Sequence, residues 1–276
     1  MNKVFSLYLT GKFKIIDEKR MKRLILLSLG LLFCTTYTFG QGTAGEDAKQ
    51  EYRYLVDMPS SGILEKGSVG VSNDILPGGI VVGRMEVGVF QDVSFGISYG
   101  GANIIGSGSP KWYKYPGVNL RFRISGESLT YPSLTIGFDS QGKGEFFDST
   151  NRYAIKSPGF FVSGSKNFQF LGYLSLNGAV NYSLESKDGD NFLNLMVGAE
   201  KTIGKKVSAV LEYDFAFNDN AARYYGKGNG YLNLGIRWSV GEGLTLGFDL
   251  RDLLNNKKWS AASADRSIRL EYIRPI

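Results

Sequence analysis

Residues 174–185 read Leu-Ser-Leu-Asn-Gly-Ala-Val-Asn-Tyr-Ser-Leu-Glu, and this alternation constrains the chain more than any other stretch. Leu174, Leu176, Val180, Tyr182 and Leu184 share one parity, interrupted only by Gly178, while Ser175, Asn177, Ala179, Asn181, Ser183 and Glu185 share the other. Successive side chains of a strand point to opposite faces, so the pattern predicts one long strand with an apolar and a polar face. Its twelve residues exceed the roughly 5–6 of an ordinary globular strand. They match the about 9–11 that a tilted strand needs to cross a bilayer. The apolar face therefore meets either lipid or a protein core.

From Met21 the chain runs Met-Lys-Arg, then an apolar stretch from Leu24 to Phe33, then small and polar residues to Gly40. A basic start, a short apolar run and a small residue before the cut form a secretory signal peptide, here with cleavage near Gly40. Met21 opens a complete signal by itself, so residues 1–20 read as an upstream extension. Cys34 follows Phe33 rather than a small residue, which argues against lipidation. Cleavage leaves no Cys, excluding disulfides and thiolate chemistry. The formal charge of +6 belongs mainly to this segment, because residues 41–276 hold 25 basic and 24 acidic side chains. So even a balance offers no field for nucleic acid.

Residues 41–65 are polar and charged at first and are expected to form a periplasmic leader. Residues 66–276 then divide into about twelve alternating strands. They are expected near residues 67–75, 80–90, 93–100, 118–125, 134–138, 159–167, 174–185, 191–203, 207–217, 231–240, 244–251 and 268–272. The connections between them alternate in length. Those around residues 91, 126–132, 168–172, 204–206 and 241–243 are short, and most on the other parity are longer, with residues 76–79 the exception. Short turns at one end and long loops at the other are the pattern of outer-membrane barrels. An even strand count returns both termini to the periplasmic side.

The polar faces carry small residues and charges of both signs: Arg84, Glu86, Arg121, Arg123, Glu212, Asp214, Arg237, Asp249, Arg251, Arg269 and Glu271. These eleven are expected to face a lumen and to pair across strands. Aromatics near strand ends suggest an interfacial girdle, and Trp112, Tyr113 and Tyr115 form an outer-loop aromatic group. The fold class expected is thus all-β, a transmembrane up-and-down barrel. A secreted soluble β-protein is the competing reading. Outer-membrane barrels commonly end in an aromatic residue read by the barrel-assembly machinery; here Tyr272 is followed by four further residues.

The sequence contains no His, which removes Ser-His nucleophilic catalysis and His-ligated metals. Glu212 and Asp214 could be imagined as an acid–base pair, but lumen carboxylates paired to arginines such as Arg237 are the simpler expectation. Asp188-Gly-Asp190-Asn191 lacks the closing Glu of a calcium loop and reads as a turn. Gly226-Lys-Gly-Asn-Gly230 lacks Walker spacing. No cofactor, metal or catalytic residue is expected.

Tyr131-Pro-Ser-Leu-Thr-Ile-Gly-Phe-Asp-Ser-Gln-Gly142 and Gly159-Phe-Phe-Val-Ser-Gly-Ser-Lys166 resemble outer-membrane barrels of the YjbH type, which are associated with exopolysaccharide export. Proteins of that type are much longer. The resemblance implies a barrel in envelope polysaccharide biology and carries no catalytic residues. The Phe39-Gly40-Gln41 junction is similar to signal cleavage sites of Bacteroidetes-like bacteria. The expected function is a non-enzymatic pore or secretion-support component for polar solutes or exopolysaccharide, embedded in outer-membrane lipid. A closed barrel presenting its outer loops is the first alternative, and a carboxylate-based membrane enzyme the last.

Overall fold

The computed structural model describes residues 43–220, 225–241, 243–259 and 264–276; the signal peptide and its cleavage lie outside the described residues. Fifteen strands follow in order: β1 Ser68–Leu76, β2 Ile80–Phe90, β3 Val93–Ala102, β4 Lys111–Trp112, β5 Gly117–Ser125, β6 Ser133–Asp139, β7 Lys143–Phe147, β8 Arg152–Ile155, β9 Gly159–Gln169, β10 Tyr173–Tyr182, β11 Asn194–Thr202, β12 Val207–Asp214, β13 Tyr231–Gly241, β14 Leu244–Arg251 and β15 Asp265–Pro275. Twelve of them form one antiparallel meander. The meander closes on itself, because β1 pairs with β15 from Ser68↔Pro275 to Ile75↔Ile268 as well as with β2. A closed sheet leaves no unpaired edge, which is the condition a strand protein must meet to span a bilayer. The other three strands are local: β4 adds two residues to β3, and β7 and β8 form a hairpin in the connection between β6 and β9.

Which face is wet settles lipid against core. Along β10, Leu176 and Val180 are 47% and 44% exposed, while Asn177, Ala179 and Asn181 are buried. The same inversion repeats around the barrel. Phe95, Ile97, Leu120, Phe122, Leu211, Ile236, Trp238, Phe248 and Ile268 look outward, and Ser94, Arg121, Thr135, Ser163, Glu212, Arg237 and Asp249 are buried within. A soluble sandwich would have this pattern reversed. An apolar belt of this extent is stable only against lipid. The chain is an outer-membrane barrel, and the soluble reading is set aside.

Turn lengths follow the wall. Residues 91–92, 126–132, 170–172 and 203–206 join strands at one end, and residues 103–116, 140–158, 183–193, 215–230 and 252–264 at the other. The first connection, residues 77–79, is short although it lies at the long-loop end. The strand predicted over residues 174–185 ends at Tyr182, because Asn181 and Tyr182 meet β9 across a register shift.

One segment departs from expectation. Residues 43–64 do not trail away as a periplasmic leader; they fill the lumen. Leu55, Val56 and Met58 are 0–1% exposed and pack on Ala179, Met196 and Val210 of the inner wall. The physical reason is that six apolar side chains meet in an otherwise polar interior, removing them from water.

Candidate functional site

The lumen segment enters at the short-turn end, where Glu46 N–H donates to Gly204 O in the β11–β12 turn (3.1 Å). Ser208 Oγ accepts from Gly45 N–H at 2.7 Å and Ser239 Oγ donates to Ala44 O at 2.9 Å. The chain rises to a tip at residues 56–58 and doubles back. The two arms are joined by Leu55 N–H to Met58 O (3.1 Å) and Ser60 N–H to Arg53 O (3.0 Å). Gly62 allows the return, because a Cβ there would overlap the Tyr52 carbonyl. The wall also leaves room at Gly198, where a Cβ would press on Leu55 Cδ1.

Glu212 clamps the tip. Its carboxylate accepts from the successive N–H groups of Val56, Asp57 and Met58 at 2.8–2.9 Å, and from Asn233 Nδ2 at 2.9 Å. Hydrogen bonds to a charged acceptor are worth about 1.5–3 kcal/mol each. From β13 and β15, Arg237 donates to Leu55 O at 2.5 Å and Arg269 to Val56 O at 2.9 Å. The return arm is held by Arg121, which donates to Ser60 O and Gly62 O (3.0 and 3.1 Å), by Thr135 to Ser61 O (2.7 Å), and by Ser163 to Ser60 O (2.8 Å). Ser61 N–H donates back to Ser165 Oγ at 3.1 Å.

Ion pairs fill the remaining space. Arg53 bridges Glu86 (2.9 Å) and Glu271 (2.5 Å), Arg84 pairs with Asp139 (2.8 Å), and Arg123 pairs with Glu51. Arg237 pairs with Asp249 at 2.5 Å, Arg269 with Asp74 at 2.7 Å, and Arg251 with Asp57 at 3.1 Å. Tyr54 lies under the guanidinium groups of Arg84 and Arg121, and its hydroxyl meets Asp139. Asp214 Oδ1 accepts from Asn194 Nδ2 at 2.7 Å and Ala216 N–H at 2.8 Å. All eleven charged residues singled out from the sequence sit on the inner wall. Their partners are not all those expected: Glu212 holds backbone of the lumen segment rather than an arginine, and Arg237 takes Asp249. Asp74, Asp139, Arg53, Tyr54 and Asp57 were not anticipated. The last three sit in a stretch without alternation, so periodicity could not flag them.

At the long-loop end Arg152, fully buried, gathers three connections. It pairs with Asp188 (2.6 Å) and Asp219 (2.7 Å), and its guanidinium lies 4.1 Å from the Tyr225 ring. Lys156 also reaches Asp188, and Tyr231 donates to Asp219 at 2.7 Å. Burial pushes Asp188 upward, yet hydrogen bonds from Lys156, Asp190 N–H and Arg152 outweigh it and hold the carboxyl below its ordinary value. For Glu185 and Asp219 burial wins over their donors and raises the carboxyls. The depressed Asp188 contributes stability above its unfolded value and loses it in acid. The raised pair contributes below their unfolded values and loses it as pH rises through the folded ones. The loop cluster is therefore expected to be tightest near about pH 4, the unfolded carboxyl range. Amide protection in residues 183–193 and 215–220, taken relative to the intrinsic exchange rate at each pH, should be greatest there, and protection that rises steadily up to pH 8 would contradict the assignment.

The three outer-loop aromatics separate. Trp112 is exposed and stacks on Tyr99 at 5.8 Å, and Tyr115 is exposed beside Lys114. Tyr113 is buried, donating to Gly144 O at 2.6 Å within a cluster that includes Tyr153, so it is part of the loop packing rather than a surface group. Gly226 to Gly230 is a loop whose Lys227, Gly228 and Asn229 N–H groups donate to Asn256 Oδ1. Inside the loops lies a vestibule of about 360 Å³ whose lining includes Asp57, Arg251 and Trp259. Below it the spaces beside the lumen segment shrink to about 20 and 60 Å³. No group of ligands able to hold a metal occurs among the described residues.

No family model matches the chain, and no curated protein does; the YjbH-type resemblance thus has no family match behind it. Among solved structures the chain is similar to a KdgM porin in complex with disordered oligogalacturonate, at 11% identity and a TM-score of 0.47 over 76% of this chain and 99% of that one. It is similar to the NanC porin at 11% and 0.41, over 75% of this chain and 99% of that one. The Acinetobacter baumannii outer membrane protein Omp33 gives 6% and 0.38, over 76% and 97%. At these values the likeness adds nothing to the strand register, which by itself closes the twelve-stranded barrel.

Proposed function

We propose that this chain is a non-enzymatic outer-membrane barrel that gives passage to polar solutes, closed at rest by residues 43–64. One observation carries the reading: a tethered segment of chain lies in the lumen, held by the side chains of the wall. The wall beneath that segment is polar and charged of both signs, and would hydrate if the segment withdrew. Twelve strands lie between the about eight whose interior side chains can fill and the 16–18 that leave a wide channel. The resemblance across β6 and β9 favours envelope saccharide as the solute. Outer-membrane lipid is the solvent for the apolar belt, and Tyr272 of β15, facing outward, is the aromatic that the assembly machinery would read. Glu212 and Asp214 have no role in chemistry in this reading, since Glu212 is spent on the segment's backbone.

Planar-bilayer recording tests it. The intact chain should give brief stepwise currents, and a chain lacking residues 43–64 a steady one. Absence of current from both would end the passage reading in favour of a closed barrel that presents its outer loops, which the Arg152 cluster holds in a defined shape.

A further inference from the structure

The vestibule combines three features that the closed lumen does not explain. First, Arg251 is 7% exposed and lines the cavity, yet its Nε and Nη2 have no hydrogen-bond partner. Its Nη1 lies 3.1 Å from Asp57 Oδ1, and Nη2 is 3.7 Å from Asp249 Oδ2, beyond hydrogen-bond range. Asp57 Oδ1 is itself without a hydrogen bond. Donors and an acceptor are thus buried side by side at the cavity floor, and each unmet group costs about 1–3 kcal/mol. Second, the lining carries no excess of positive charge. It holds four basic side chains, Lys111, Lys143, Arg251 and Lys257, against five acidic ones, Asp57, Glu145, Asp214, Asp252 and Asp265. Lys111 is 3.4 Å from Glu145, Lys257 is 3.8 Å from Asp252 and also meets Asp265, and Arg251 pairs with Asp57. Nothing in the lining is left over to favour an anion. Third, Trp259 lines the same cavity and is 47% exposed, although its ring has Lys257 and Phe147 as neighbours.

A ligand that meets these features must both accept and donate hydrogen bonds, carry no negative charge, and offer an apolar C–H face to an aromatic ring. We propose that the vestibule binds a neutral, polyhydroxylated solute, a saccharide in chemical class, with Arg251 as donor, Asp57 as acceptor and Trp259 as stacking surface. Its volume falls at the small end of ligand cavities, about 300–1,000 Å³, which suits a short saccharide. Among the described residues of the lumen segment, Asp57 is the one that lines this cavity. A bound sugar therefore touches the tip of the segment that closes the barrel. That the site is the first stop of a transported solute rests on the passage reading; the binding itself does not.

Titration calorimetry of the full-length barrel in detergent, with maltose as the probe, tests the site. Saturable heat is expected, weakened about tenfold in Arg251→Gln by loss of the hydrogen bonds and up to about tenfold in Trp259→Ala. Galacturonate, the acidic comparison, should bind no more tightly than maltose. Heat-modifiable gel mobility checks folding. Should Arg251→Gln fail that check, Trp259→Ala carries the test, because Trp259 lies outside the barrel wall. Absence of saturable maltose heat, wild-type affinity in Trp259→Ala, or tighter binding of galacturonate would each overturn the proposal. Maltose binding without any bilayer current would remove the passage reading and leave the site standing.

Discussion

Oxidising a barrel that carries Ser61→Cys and Ser165→Cys is expected to silence its current, and reducing it to restore the brief openings. Ser61 N lies 3.1 Å from Ser165 Oγ, so the return arm and β9 touch at these two residues. Both substitutions are nearly isosteric, and Cys34, the one native Cys, precedes the expected cleavage site. The cross-link joins the return arm to β9, so the segment cannot withdraw even when its polar contacts break. Those contacts are what make withdrawal feasible. Arg121, Thr135 and Ser163 hold backbone carbonyls that water can hydrate once the arm moves, so each contact nets only about 0.5–1.5 kcal/mol, or about 1.5–3 where a charge is involved. The barrel wall needs none of them, because its own ladder closes between β1 and β15. Deleting residues 43–64 should therefore leave a folded barrel with steady conductance. Equal current from the oxidised and reduced double-Cys barrel would show that ions do not pass where the segment lies.

The second large effect concerns the wall. Val180→Arg is expected to cost about 2–4 kcal/mol, the price of a guanidinium near the bilayer midplane. Val180 points outward and is 44% exposed, and its β9 partner is Val162, so the new charge would face acyl chains. Its neighbour Asn181 is not a cheap control, although alternation alone would make it one. Asn181 is 2% exposed, donates to Pro158 O at 2.8 Å and accepts from Asn194 at 3.2 Å. An Arg there would break both bonds in a filled interior. Ser175, half-buried beside the short-turn end of the lumen, is the better inward comparison and should lose less stability as Arg. Unfolding by denaturant in lipid vesicles measures the difference; equal losses at residues 175 and 180 would reverse the inside and outside of β10.

Much of this wall is legible in the sequence. The alternation of Leu174, Leu176, Val180 and Tyr182 marks a two-faced strand, and the same period elsewhere located all twelve staves to within a few residues. Two-residue periodicity survives because it reports which face is wet, and each stave has the same lipid outside. The same period is what sets the eleven charged positions on the parity opposite the apolar one. The lumen segment was missed because it has no such period: Leu55, Val56 and Met58 are buried in contact with wall strands far away in the chain, and Tyr54 and Asp57 beside them look like an ordinary polar leader. The hairpin of β7 and β8 was missed likewise, since its strands are four and five residues long and Arg152 finds its acids 36 and 67 residues away.

The sequence by itself determined that a polar-lined, apolar-belted barrel of about twelve staves would form, because strand alternation and loop length are local properties. Only the tertiary structure decided what fills that barrel. Whether Glu212 meets an arginine or three successive N–H groups of residues 56–58 depends on closing the sheet first, which brings β12, β13 and β15 around one point and makes the lumen the driest place for Leu55, Val56 and Met58.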